Sequence, residues 1–556
     1  MQFLMMRKFS IFCLAALGLS LTSCADYLRL DESVYQSREY QFSTFENTKK
    51  VCTDVYGRLV SYLMDTENTM RDVATDDAVY AWETSYVKTY WDGSWSAGRT
   101  IDDKWSYYYG AIAAANYFLE NCPDDFPASE YMETYKERIR QLRGYPLEVT
   151  VLRALFHFEL LKRYGQIVIV DHTLRLEEVN HLPAVSYEEA ARWIIAELDG
   201  VIPMLPVSYA GTLADEVGRV TRGAALALKA RVQLYLASPL NNPASDKKRY
   251  VEAAATAARI LQSGTYALVD EAVVNNPDAQ GLIFGIRQIP SNAFEVNNFP
   301  IGYEGGYSGV CPSQDLVEAF DFLDGTPFSW DRDKARALDP SLRDPRLAKT
   351  VLFNGSMFKG ERIRSYYGGP NGLPRTGASP TSYYLRKFVR EETSFTVGNT
   401  TSYQHVIPLF RYAEVYLNYA EALFEATGNK DFTGSLEGTV FSLSPLQAVN
   451  AVRARAGVAP LPATLDAAAF RARLRNERRV ELAFEDHRFW DLRRWKEGAL
   501  TSEIHGLTIR ENEAGEVQSV ERVTVQKRHW EPKMNFYPIP DAERFKNPDL
   551  PQNEGW

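Results

Sequence analysis

The sequence has no excess of positive charge: 62 Lys and Arg stand against 72 Asp and Glu, a formal net charge of −10. Binding to nucleic acid needs clustered cations that displace counterions from phosphate, so this balance argues against that class and fits an uncharged or weakly charged ligand better. Histidine is scarce. The seven residues His157, His172, His181, His405, His487, His505 and His529 show no metal-ligand spacing, and neither G-x-S-x-G, H-E-x-x-H nor a P-loop occurs. His157 and His487 lie among apolar neighbours and read as core histidines. Adjacent acids such as Asp76 and Asp77 could flank a glycosidic bond, but acid pairs are common on solvated loops, and no cofactor, metal or enzymatic activity is expected. Cysteine forms no framework either. Cys52, Cys122 and Cys311 are widely spaced without a C-x-x-C pair, so free thiols are expected.

No apolar run is long enough to remain in a membrane as a helix. After Arg7 and Lys8 an apolar stretch of about a dozen residues follows, the length of a secretory leader rather than a span. It ends in Leu21-Thr22-Ser23-Cys24. This looks like a bacterial lipobox, in which Cys24 carries lipid and becomes the first residue. Residues 1–23 are therefore read as a lipoprotein signal peptide and 24–45 as a tether at a membrane surface.

What is abundant is helical patterning and aromatic side chains. A helix is expected over Glu46–Met64 from Val51, Val55, Leu59 and Leu63, another from Trp105, Tyr109, Ile112, Ala113 and Tyr117, and a long one over Glu130–Tyr164 closed by Gly165. Ser186 with Glu189 forms a capping-box signature for Ser186–Leu198. Helices follow within Thr221–Pro243, stopping at Ser238-Pro239, and at Arg249–Gln262, Pro408–Ala426 and Ser444–Gly457. Glu477–Gly498 reads as one amphipathic helix with Val480, Ala483, Phe484, His487 and Trp490 on its apolar stripe, and Glu485 pairing Arg488 on the polar side. Residues 266–400 are rich in Gly, Pro, Asn and aromatics and read as irregular. Two alternating runs around Ala514-Gly515 predict a hairpin within Leu507–Val525. Helices of this length separated by short breaks suggest stacked pairs, similar to tetratricopeptide (TPR) arrays but without a clean 34-residue period.

Glu477–Gly498 resembles the C-terminal signature helix of the SusD/RagB family of nutrient-binding lipoproteins. The resemblance extends in order through Val151–Gly165, Thr221–Asn242, Cys311–Asp321, Leu342–Gly355, Thr381–Phe388, Pro408–Ala426, Ala448–Gly457 and the terminal YPIPDAERFKNPDLPQNEGW. It implies a mostly α single domain over 46–556, a TPR-like helix-pair scaffold (46–265, helices returning over 401–500) with an irregular loop-rich ligand-binding portion and a hairpin with an extended segment over 501–556. It also implies an outer-membrane, cell-surface location, a SusC-like TonB-dependent transporter as partner, a glycan or sometimes a peptide as ligand, and no catalysis.

Aromatics make up 13% of the chain, with 32 Tyr and 10 Trp, and several crowd into loops. A sugar ring offers a flat C–H face to stack on Trp or Tyr, and hydroxyls around its rim to polar side chains. The loop Val73–Gly98 supplies Trp82, Tyr86, Tyr90, Trp91 and Trp95 with Asp77 or Asp92 as polar partners. Two later loops supply Asn297, Tyr303 and Tyr307, then Arg364, Tyr366 and Tyr367. Peptide capture, which would use backbone pairing beside the aromatics, and a structural or adhesive surface role are the alternatives.

Overall fold

The structure, a computed structural model, describes residues 37–556 other than 128–129, 180, 211–215 and 270–272. The leader and Cys24 lie outside the described residues.

Among the described residues, ten helices form the scaffold: α1 (Phe45–Gly57), α2 (Trp105–Asn121), α3 (Tyr135–Tyr164), α4 (Tyr187–Val201), α5 (Arg222–Ala237), α6 (Lys247–Leu261), α7 (Tyr412–Thr427), α8 (Pro445–Ala456), α9 (Ala467–Glu481) and α10 (Arg488–Arg494). Each of α2 to α7 packs on the next in sequence, from α2 on α3 through α7 on α8, the arrangement of a helix-pair array. Helix α5 lies at its centre, buried at every position from Gly223 to Ala237, and its small residues let α4 and α6 come close. Starts are set by the capping the sequence signals: Ser186 with Glu189 and Ser444 with Gln447 both close reciprocal boxes. Gly165 ends α3 at φ +72°, where a Cβ would lie 2.9 Å from the Phe536 ring, so both the backbone and the neighbour call for glycine.

Three expected helices differ. Helix α1 stops at Gly57 rather than continuing to Met64, since glycine is a poor helix former and Tyr62 is instead tied through its hydroxyl to the Pro408 carbonyl at 3.1 Å. Residues 406–411 ahead of α7 are strand. The stretch Glu477–Gly498 is two helices joined by a turn in which Phe484 and Asp486 take φ of +61° and +60°.

Strands β1 (Ala78–Tyr80), β2 (Leu282–Arg287), β3 (Val310–Pro312) and β4 (Val406–Arg411) make two small antiparallel pairs, β1 with β3 and β2 with β4. The expected hairpin is β5 (Glu503–Glu511) with β6 (Val517–Lys527). One apolar core runs from Phe45 to Leu550 and takes in both the helical and the irregular parts.

Charges at the end of α9 and in the turn that follows bind the two parts together. Glu481 is held by Arg411, Arg455 and Arg346, and Glu485 by Arg411 and Lys387. Burial pushes the Glu481 carboxyl up, but the three arginines outweigh it and hold it well below the carboxylate range. The expected Glu485–Arg488 pair is absent because both partners are engaged elsewhere, Arg488 by Asp76. The supposed polar face is a buried ion network that reaches back some four hundred residues along the chain.

Candidate functional site

Strand β1 is the root of the site, and the α9–α10 segment fixes it. Arg488 Nε and Nη2 donate to the two carboxylate oxygens of Asp76 at 2.8 and 2.7 Å. Arg479 Nε donates to Asp77 at 2.6 Å, and Arg528 donates to the carbonyls of Thr75 and Ala78 at 2.7 and 2.9 Å. Burial pushes Asp76 up, yet Arg479 and Arg488 together hold it far below its ordinary range. Asp77 goes the other way, raised by burial and the adjoining Asp76 against the pull of Arg479. Asp77 is fully buried. It is a structural anchor, which corrects the expectation of a polar group facing ligand.

Register then carries the chain outward. Tyr80 lies opposite Val310, and the next residues emerge beside the loop before β3. There Trp82 stacks on Tyr307 with ring centroids 4.1 Å apart and planes 19° from parallel. The Trp82 indole donates to the Tyr307 carbonyl at 2.8 Å, locking the pair. Tyr80 adjoins them, its phenol pushed up to about 12 by burial and by Tyr307. Below lies Gly377, where a Cβ would fall 2.8 Å from the Trp82 ring and 3.6 Å from Ile301. Tyr307 remains 43% exposed and Trp82 half-buried, so the stack keeps an open side.

The third loop is pinned to the second. Asn371 accepts from the Arg364 backbone N–H at 2.8 Å and donates to the Ile301 carbonyl at 2.7 Å. Gly302 then sits under Arg375, with 3.2 Å between its would-be Cβ and Nη1. Three segments distant in sequence thus meet at Trp82, Tyr307 and Gly377.

The remaining expected residues divide. Tyr303 is half-buried with its ring edge-on to Phe358 at 5.0 Å, an anchor for its loop. Its phenol is raised by burial and Glu361 while Arg364 opposes them. Tyr367 is 50% exposed beneath Arg510, 5.3 Å from the ring centroid, and Tyr366 packs half-buried on the core. Asn297 donates to the Ala293 carbonyl at 3.2 Å. Tyr86 is exposed under Arg99, and Asp92 accepts from the Ser94 backbone at 2.9 Å. Tyr90 and Trp95 are core residues, only 4% and 5% exposed, packed edge-on around Tyr537. Trp91 lies half-buried under the Arg528 guanidinium at 4.5 Å. For Tyr90, Trp91 and Trp95 the structure replaces an open stacking face by packing on the scaffold.

Sequence reasoning missed Gly377, Asn371 and Arg375. Nothing periodic marks them; the available signal was a cluster of Gly, Pro and Arg after two tyrosines. The larger concavities lie elsewhere, for example a groove of about 420 Å³ along Trp105, Tyr109 and Leu182 and one of about 350 Å³ lined by Arg346, Lys387 and Arg411. The stack is an open face rather than a cavity, a shape that suits a ligand lying across a surface. Among the described residues no cluster of His, Cys, Asp or Glu could hold a metal ion, and no helix is long and apolar enough to cross a membrane.

Residues 281–556 match the family described as "SusD family", and residues 26–234 match the one described as "Starch-binding associating with outer membrane". A SusD-like protein from Bacteroides fragilis is 27% identical and superposes with a TM-score of 0.76, covering 93% of this chain and 98% of its own. A SusD-like carbohydrate binding protein from the same species is 26% identical with a TM-score of 0.72, covering 92% and 99%. A SusD-like protein of Formosa agariphila is 23% identical over 82% of this chain and 79% of its own length. The two matched stretches, separated by residues 235–280, take in most of the helical array and the α9–α10 segment that anchors β1: the chain belongs to the SusD/RagB family.

Proposed function

We propose that this protein captures glycan oligomers at the bacterial surface on the Trp82–Tyr307 face and passes them to a SusC-like TonB-dependent transporter in the outer membrane, without altering them. The observation that carries the reading is the stack itself. Two aromatic rings held rigid by a backbone hydrogen bond and a glycine leave one side open, and rigid rings lose little freedom when a sugar is laid on them. The carbohydrate-binding relative from B. fragilis supports the ligand class. The description of the N-terminal match supports association with the outer membrane. Lipid on Cys24 would supply the attachment, since residues 21–24 read as a lipobox.

The test is a calorimetric titration of a soluble form beginning after Cys24 against a panel of glycan oligomers, with peptides as a second panel. Saturable binding to one glycan class that Trp82→Ala weakens by about 2 kcal/mol, roughly 30-fold, supports capture on this face. Binding to peptides alone would replace the ligand class. Palmitate labelling in cells, lost in Cys24→Ala, and co-purification of a β-barrel transporter test the anchor and the partner.

A further inference from the structure

We propose that the glycan taken by the Trp82–Tyr307 face is anionic, bearing uronate carboxylates or sulfate esters, and that Arg375 and Arg364 recognise that charge. The proposal rests on the capture reading above and narrows its ligand class.

Most guanidinium groups among the described residues are spent on carboxylates, as at Arg71, Arg346, Arg411, Arg453, Arg488 and Arg494. The loop that floors the aromatic stack departs from that pattern. Residues 354–378 carry Lys359, Arg362, Arg364 and Arg375 against the single acid Glu361, in a chain whose overall charge is −10. Lys359 is used internally, its ammonium donating to the carbonyls of Glu391 and Thr393. Arg364 and Arg375 are not spent on carboxylates. Arg375 is exposed and donates from Nη1 to the Pro370 carbonyl at 2.8 Å, with no carboxylate partner among the described residues. Arg364 is exposed too, and its guanidinium has no hydrogen-bond or ion-pair partner among the described residues.

Position makes these charges relevant. Arg375 lies over Gly302, and the adjoining Ile301 meets Gly377 together with the Trp82 ring. The guanidinium therefore sits two residues along the loop from Gly377, the glycine against which the indole packs, and the two share one rim. A guanidinium has five N–H donors in a planar fork that fits the two oxygens of a carboxylate or sulfate side by side. One bond to a carbonyl leaves the charge intact and most of those donors free. A uronate ring stacked on the aromatics would carry its carboxylate at the ring edge, toward this rim. The acidic balance of the whole chain pointed to an uncharged ligand; the local charge does not follow that balance.

The test is calorimetric titration of the soluble form beginning after Cys24 with matched pairs: oligogalacturonate against its fully methyl-esterified counterpart, and sulfated against desulfated galactan oligomers. The expected result is that a charged member binds about tenfold or more tighter than its neutral twin, and that Arg375→Gln or Arg364→Gln erases that preference. Raising NaCl from about 0.05 to about 0.5 M should weaken the charged member alone. Whichever pair shows the preference separates uronate from sulfate. Arg259→Gln, on the exposed side of α6, should leave all affinities unchanged. Equal binding within both pairs, or a charge preference that survives in folded Arg375→Gln and Arg364→Gln, overturns the anionic ligand and leaves glycan capture standing. No binding of any member by the wild type, on a panel that also includes neutral glucans, overturns both.

Discussion

Replacing Arg488 by methionine would remove the fork that clamps Asp76 while keeping most of the side-chain volume. Asp76 is 4% exposed, and its two oxygens receive Nε and Nη2 at 2.8 and 2.7 Å. Deleting one partner of a buried pair leaves the other charge without compensation and costs about 3–5 kcal/mol. Here Arg479 stays within 3.1 Å of the carboxylate, so the loss should fall at the low end, about 3 kcal/mol at pH 7. The sign of the pH effect follows from the direction of the shift. Asp76 in the folded wild type lies below its unfolded value of about 4, so its contribution is complete above that value and lost as pH falls through the folded one. In Arg488→Met the carboxyl loses that hold and takes up a proton at higher pH, which relieves the cost. Urea unfolding followed by tryptophan fluorescence should therefore show the gap between variant and wild type narrowing from pH 7 toward pH 4. Adding Asp76→Asn should recover part of the loss at pH 7. A variant within about 1 kcal/mol of the wild type at pH 7, or a gap unchanged by pH and by Asp76→Asn, would refute the reasoning.

Three further outcomes are expected. Trp95→Ala should empty a core position and lower stability by about 3–5 kcal/mol in the same unfolding assay, while glycan affinity of the folded protein changes little. Gly377→Val places carbon against the Trp82 ring at a backbone of φ +78° and should weaken glycan binding in calorimetry with a stability loss of about 1–3 kcal/mol. His157 is lowered to about 4, chiefly by burial, with the Arg153 carbonyl and the Val170 N–H satisfying its two ring nitrogens. Its unfolded form takes up a proton first as pH drops, so stability should fall by about 3 kcal/mol between pH 6.5 and 4, and His157→Gln should flatten that part of the pH profile.

Much of the scaffold was legible because its signals are local. Ser186 with Glu189, Gly165 and the Ala514-Gly515 turn each act within a few residues. The α9–α10 break was hidden because the apolar spacing of Val480, Phe484 and Trp490 continues through the turn. Charge partners were hidden for a different reason: Arg479 meets Asp77 across 402 positions, and no periodicity reports that distance. The same gap explains the mixed outcome for the aromatic loop. Trp82 and Trp95 share composition and neighbourhood in sequence, but the first is lifted out by β1 onto Tyr307 and the second is drawn under Tyr537 and Trp556. The rim arginine Arg375 carries no pattern at all; only its place above Gly302 makes it matter.

The most direct test of the account is amide hydrogen exchange on the soluble protein, free and saturated with the tightest-binding glycan of the panel. The account predicts slowed exchange in residues 80–83, 301–309 and 370–378, the three segments that meet around Trp82, Tyr307 and Gly377. Protection confined to another surface, such as the groove along Trp105 and Tyr109, would contradict it.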